Sequence, residues 1–120
     1  MEIRNVLERL KLLTNDDRED LLLMLSGDAV QRLKTRLCCT VEEEKAHEEA
    51  LCAAAAAQAA YQFWLLEEAA SPKSLTAGEV RAEFDKGSER ALAYAKQCER
   101  AVSGLLRDED FYFGVTEGTV

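Results

Sequence analysis

The sequence contains few residues that interrupt helices or build loops. Its 120 residues include one proline, Pro72, and six glycines, so long irregular connections are not expected. Alanine, leucine and glutamate, which favour helices, recur throughout the chain. With 48% hydrophobic and 32% charged residues, the composition is that of a folded chain with room for one core. We therefore predict an all-α fold, with a single helical domain over residues 1–113 and a C-terminal tail over residues 114–120.

Residues that carry catalysis or bind metals are also scarce. The only histidine is His47, and although Glu44 precedes it with the Glu-x-x-His spacing, a di-iron site needs two such pairs and further carboxylates. A zinc site would need His47 together with three cysteines that lack paired Cys-x-x-Cys spacing: Cys38, Cys39 and Cys52. Neither a phosphate-binding glycine motif nor a nucleophile elbow is present. We expect no catalytic, cofactor-binding or metal-binding residues, and therefore no enzyme.

The cysteines do not indicate a disulfide-stabilised secreted domain. There are four of them, Cys38, Cys39, Cys52 and Cys98, and no secretory signal peptide accompanies them. We expect reduced thiols that mostly lie in the core.

A long hydrophobic run is missing as well. The longest uncharged stretch, residues 50–66, is dominated by alanine and interrupted by Gln58 and Gln62. It is too short and too weakly apolar to predict a membrane span, so no membrane partner is expected.

Basic residues are in the minority. Twenty-three acidic residues against fifteen basic ones give a net charge of −8. Such a surface repels phosphate backbones, and we expect no sequence-specific binding of nucleic acid. A solubilising role is the simplest explanation of the charge.

The spacing of hydrophobic residues predicts four helices that form an orthogonal or antiparallel bundle. They extend over about residues 2–13, 16–37, 40 to the break at 71–74, and 88–107. Thr14 and Asp17 have the spacing of a capping box at the start of the second helix.

The second helix contains five consecutive apolar residues, Leu21 to Leu25. A helix that is apolar on every side is buried on every side. Either the other helices of the chain cover this turn, or a partner subunit covers one side of it. The candidate interface residues here are Leu21, Leu22, Leu23 and Met24.

A short β-hairpin or extended loop is predicted over about residues 75–84, before the last helix. Val80, Ala82 and Phe84 alternate with charged residues, which is the period of a half-buried strand. An isolated hairpin is marginal in water, so it has to lean on the helices of the chain or on another molecule. Together with Leu75, these three residues are further interface candidates.

Near the end of the chain, Phe111 and Phe113 flank Tyr112. These phenylalanines are either anchors that hold the C-terminus on the core or interface residues.

Five motifs occur in an order that can be compared with known families. They are Leu12-Leu13-Thr14, the acidic residues with the leucine run at 21–25, the alanine-rich third helix with Tyr61, Ala77-Gly78-Glu79-Val80, and Asp110-Phe111-Tyr112-Phe113. In this order, over about residues 5–113, the chain resembles the small head–tail connector (adaptor) proteins of tailed bacteriophages and prophages.

The resemblance implies a structural protein without a cofactor. Copies would form a homo-oligomeric ring beneath the portal protein and bind a tail or stopper protein, in the bacterial host cytoplasm during assembly and in the virion at the head–tail junction. Duplex DNA would pass through the ring, and acidic lining residues would repel it rather than bind it.

Two other classes of function remain open. One is a cytosolic acidic helical module that binds proteins, as a dimer or as a mimic of DNA. The other is a metal-dependent helical hydrolase that uses clustered acidic residues.

Overall fold

The computed structural model describes residues 1–70 and 78–107, with the backbone alone for residues 78–86. Within these ranges the prediction of an all-α fold is confirmed, and no strand is present in them. The elements are α1 (Ile3–Thr14), α2 (Glu19–Arg36), α3 (Val41–Ala46), α4 (Glu48–Ala70), α5 (Gly78–Ala101) and a 3₁₀ turn (Ser103–Leu105).

The third predicted helix is divided into α3 and α4 at His47. The backbone of His47 leaves the helical region (φ −112°, ψ 27°), and its N–H donates to the carbonyl oxygens of both Glu43 (3.1 Å) and Glu44 (3.3 Å). Such bifurcated bonds are common at helix ends. No proline or glycine marks this point in the sequence, which is why the division was not predicted.

The prediction of a hairpin or extended loop is wrong for residues 78–84, because these residues form the beginning of α5. Val80 and Phe84 are four residues apart, a spacing that suits one face of a helix as well as it suits an alternating strand. The glutamate, arginine and alanine between them favour a helix. As a result the last long helix begins at Gly78 rather than near residue 88, and ends at Ala101.

The predicted capping box at Thr14 and Asp17 is also wrong. Thr14 is the last residue of α1, and its buried hydroxyl donates to the carbonyl oxygen of Leu10 (2.9 Å). The chain then turns at Asn15, which has a left-handed backbone (φ 52°) of the kind that commonly ends a helix.

A complete capping box instead begins α3. The N–H of Glu43 donates to the hydroxyl oxygen of Thr40 (3.1 Å), and the N–H of Thr40 donates to the carboxylate of Glu43 (3.0 Å). Both bonds satisfy donors that a helix start leaves without partners.

Replacing the capping threonine is expected to destabilise the fold modestly. Thr40→Ala removes the acceptor for the Glu43 N–H, and we expect it to lower the free energy of unfolding by about 1 kcal/mol. The control is Thr35→Ala, because Thr35 is exposed and its hydroxyl only donates to the Arg32 carbonyl within α2 (2.7 Å). Urea unfolding followed by circular dichroism measures both variants, and equal losses would contradict a capping role for Thr40.

The core is built around α4, which packs against α1, α2 and α5. The side chains of residues 54–60 of this helix are buried, and six of these seven residues are alanine. Small side chains allow the neighbouring helices to approach α4 closely on all sides. The bulk of the core comes from the residues that surround this alanine segment: Val6, Leu10, Leu22, Leu33, Leu51 and Phe63.

Helix α5 runs antiparallel to α4. At one end the hydroxyl of Ser88 donates to the carboxylate of Glu68 (2.6 Å), and Gly87 faces Trp64 so closely that a Cβ atom there would lie 3.0 Å from the indole ring. At the other end a single β-bridge joins Leu37, after α2, to Leu106. Within residues 1–70 and 78–107, none of the helices has the combination of length and apolarity that crossing a bilayer requires.

Candidate interaction surface

The leucine run of α2 is only partly covered by the rest of the chain. Leu22 and Leu25 are buried and Leu21 is half-buried against the core. Leu23 is 46% exposed and Met24 is 53% exposed. Of the two alternatives considered for this turn, complete covering by the chain's own helices is therefore wrong, and Leu23 and Met24 form an apolar surface on the single chain.

Acidic residues flank this surface along the helix. Asp20, Met24 and Asp28 are spaced four residues apart and therefore share one face of α2, and both aspartates are exposed. We call Asp20, Leu23, Met24 and Asp28 the α2 face. It combines two apolar side chains with two carboxylates.

A second surface lies where α1, α4 and α5 form an open groove of about 150 Å³. Its floor consists of small side chains from α4, and its walls come from α1 and α5. We call it the α1–α4–α5 groove, and it is lined by Arg9, Leu12, Leu13, Ala53, Ala56 and Tyr94. No described residue of α2 lines it.

Two polar groups lie in this otherwise apolar groove. Arg9 is a half-buried residue, and its guanidinium forms no ion pair with another residue in the described part of the chain. A hydrogen bond with Cys98, together with partial burial, raises the pKa of Tyr94 above its ordinary value, so the phenol is neutral at physiological pH. The groove is therefore apolar with one positive charge.

The remaining candidate interface residues belong to other parts of the chain. Val80, Ala82 and Phe84 lie in the first turns of α5. Leu75, Phe111 and Phe113 lie outside the described residues, and their assignment to an interface stays a prediction.

The residues considered for a metal site do not converge. His47 and Cys38 are exposed, whereas Cys52 is buried in the core beside Glu48, at 3.4 Å from its carboxylate. Burial, reinforced by Glu48, raises the pKa of the Cys52 thiol, which makes it a poor ligand and nucleophile. Among residues 1–70 and 78–107, no three His, Cys, Asp or Glu side chains are grouped so as to hold a metal ion, and all four cysteines are free.

Sequence reasoning missed the groove. The sequence offered one signal, Leu12, because this leucine falls outside the stripe of Val6, Leu7 and Leu10 that packs on the core. In the structure its side chain is 84% exposed. The other walls come from helices far apart in the sequence, so only the folded chain assembles the groove.

Comparisons of the chain with protein-family models, with curated proteins and with solved structures find no match. The α2 face and the α1–α4–α5 groove are therefore the features from which a function is inferred.

Proposed function

We propose that this chain is a structural protein of virion assembly, a head–tail connector that forms a homo-oligomeric ring beneath a portal protein and links the capsid to the tail. The observation that carries the proposal is the α2 face, on which Leu23 and Met24 remain about half exposed in a single chain. Large apolar side chains on a surface mark interaction sites when they adjoin one another and are bordered by polar residues.

The energetics favour covering this face by another molecule. Burying the exposed parts of Leu23 and Met24 contributes roughly 1 kcal/mol each. In a ring the same contact recurs between every pair of neighbouring copies, so a modest contribution is repeated at every interface. The resemblance in the order of sequence motifs supports the same class of protein.

Partners and location follow from the proposed role. The ring would bind the portal protein on one side and a tail or stopper protein on the other, in the bacterial host cytoplasm during assembly and at the head–tail junction of the virion. Duplex DNA would pass through the ring without being bound, since the net charge of −8 repels phosphates.

Native mass spectrometry of the purified chain, alone and mixed with the portal protein of the same genome, tests the proposal. We expect a large ring, or a defined complex with the portal protein. Met24→Glu should abolish that assembly, because it places a charge at the centre of the contact. Val41→Glu is the matched control, since Val41 is 70% exposed and lies outside the α2 face and the groove.

A discrete dimer that ignores the portal protein would contradict the connector proposal. It would instead support the second candidate, an acidic helical module that binds a basic protein. That alternative is favoured by the exposed carboxylates in the first turns of α3 and α4: Glu42, Glu43 and Glu49. A hydrolase with clustered acidic residues receives no supporting metal site from the described residues.

A further inference from the structure

We propose that the α1–α4–α5 groove is the acceptor for the α2 face of an adjacent copy of this chain, so that copies join head to tail. The inference rests on the proposed function, for which it names the interface between subunits. It assigns one occupant to the groove: Leu23 and Met24 of a second copy, with their flanking carboxylates.

The size of the groove matches one of these side chains. Its volume is about 150 Å³, and an apolar space of this size holds one benzene-sized group. Methionine is unbranched and adapts to irregular apolar spaces, and Met24 is the more exposed of the two residues. We therefore place Met24 in the groove, with Leu23 against the rim at Leu12.

The charges of the two surfaces are complementary. Arg9, a half-buried residue, supplies a positive charge at the groove, and its guanidinium has no ion-pair partner among the described residues. Asp20 and Asp28 supply exposed negative charges on either side of Met24. When Met24 enters the groove, a carboxylate on one side of it approaches Arg9, and opposite charges across an interface fix its register.

The positions of the two surfaces require a second copy. Leu23 and Met24 point away from the bundle, and the groove is formed by the other three long helices. A chain therefore does not fill its own groove. A contact between two different surfaces is heterologous, and repeating it by a closing rotation generates a ring, whereas a contact between two identical surfaces stops at a dimer.

Two variants test the α2 face and the α1–α4–α5 groove separately. Met24→Glu disables the α2 face and leaves the groove intact, and Leu12→Glu disables the groove and leaves the α2 face intact. Met24 is 53% exposed and Leu12 is 84% exposed, so circular dichroism and thermal unfolding should show folded variants. In sedimentation velocity each variant alone should associate at least about thirtyfold more weakly than the wild type.

The equimolar mixture of the two variants is the decisive sample. The intact α2 face of the Leu12→Glu copy fits the intact groove of the Met24→Glu copy, and the chain of contacts then stops. We therefore expect a 1:1 dimer in the mixture and monomers in each separate sample. Val41→Glu, which adds the same charge elsewhere, should associate like the wild type.

Three results would overturn the inference. They are association of Leu12→Glu at wild-type strength, a mixture that stays monomeric, and a wild type that stays monomeric up to about 1 mM. If Leu12→Glu associates like the wild type but Met24→Glu still abolishes assembly, the connector proposal stands, and the α2 face binds a surface other than the groove. Loss of the complex with the portal protein would count against the connector proposal separately.

Discussion

Glu99→Ala is expected to lower the free energy of unfolding by about 2–3 kcal/mol. The carboxylate of Glu99 forms an ion pair with the guanidinium of Arg36, and the two side chains are only 18% and 8% exposed. Arg36 also donates to the carbonyl oxygen of Arg107 (3.0 Å), so its charge is held between the ends of α2 and α5. Removing Glu99 takes one charged, hydrogen-bonded partner away from this largely buried guanidinium, and losing one partner of a buried pair costs more than the pair itself contributes.

Two comparisons separate this cause from a general loss of packing. Replacing both partners together, as Arg36→Met with Glu99→Leu, should restore part of the lost stability, because neither charge of the pair is then left without the other. Glu19→Ala breaks the exposed pair with Lys11 (3.6 Å) and should cost at most about 1 kcal/mol. Urea unfolding measures all three variants, and a loss for Glu99→Ala no larger than that for Glu19→Ala would refute the prediction.

Leu22→Ala is expected to lower the free energy of unfolding by about 2–5 kcal/mol, whereas Leu23→Ala should cost less than about 1 kcal/mol. Leu22 is fully buried in the core beneath α1 and α4, and truncating it removes apolar contacts and leaves a cavity. Leu23 is its neighbour in the sequence, but almost half of it is exposed on the α2 face. Because the same substitution is made at adjacent positions, the difference between the two losses of unfolding free energy reports the difference in burial.

When self-association is measured, Leu23→Ala should have the larger direct effect of the two substitutions. Leu23→Ala removes apolar area from the α2 face and should weaken self-association while leaving the monomer stable. Thermal unfolding and sedimentation of the same samples show both effects. Equal losses of stability for the two variants would mean that the division of the leucine run between core and surface is incorrect.

Local patterns in the sequence determined the all-α fold and the faces that form the core. Leu25, Ala29 and Leu33 of α2 are spaced four residues apart and are buried together, because residues at a helical period share one face, and here that face forms the core. The alanine-rich segment lies at the centre of the bundle. Propensity and periodicity are properties of neighbouring residues, so they can be evaluated before the chain folds.

The tertiary structure decided the features that depend on which helices meet. Residues 78–84 satisfy both a helical and an alternating pattern, and their helical backbone in α5 distinguishes the two. The run of apolar residues at 21–25 does not by itself fix how much of each side chain stays exposed, since that depends on where α1 and α4 lie against α2. The groove joins Arg9, Ala53 and Tyr94, which are far apart in the sequence, and packing against α4 brings them together.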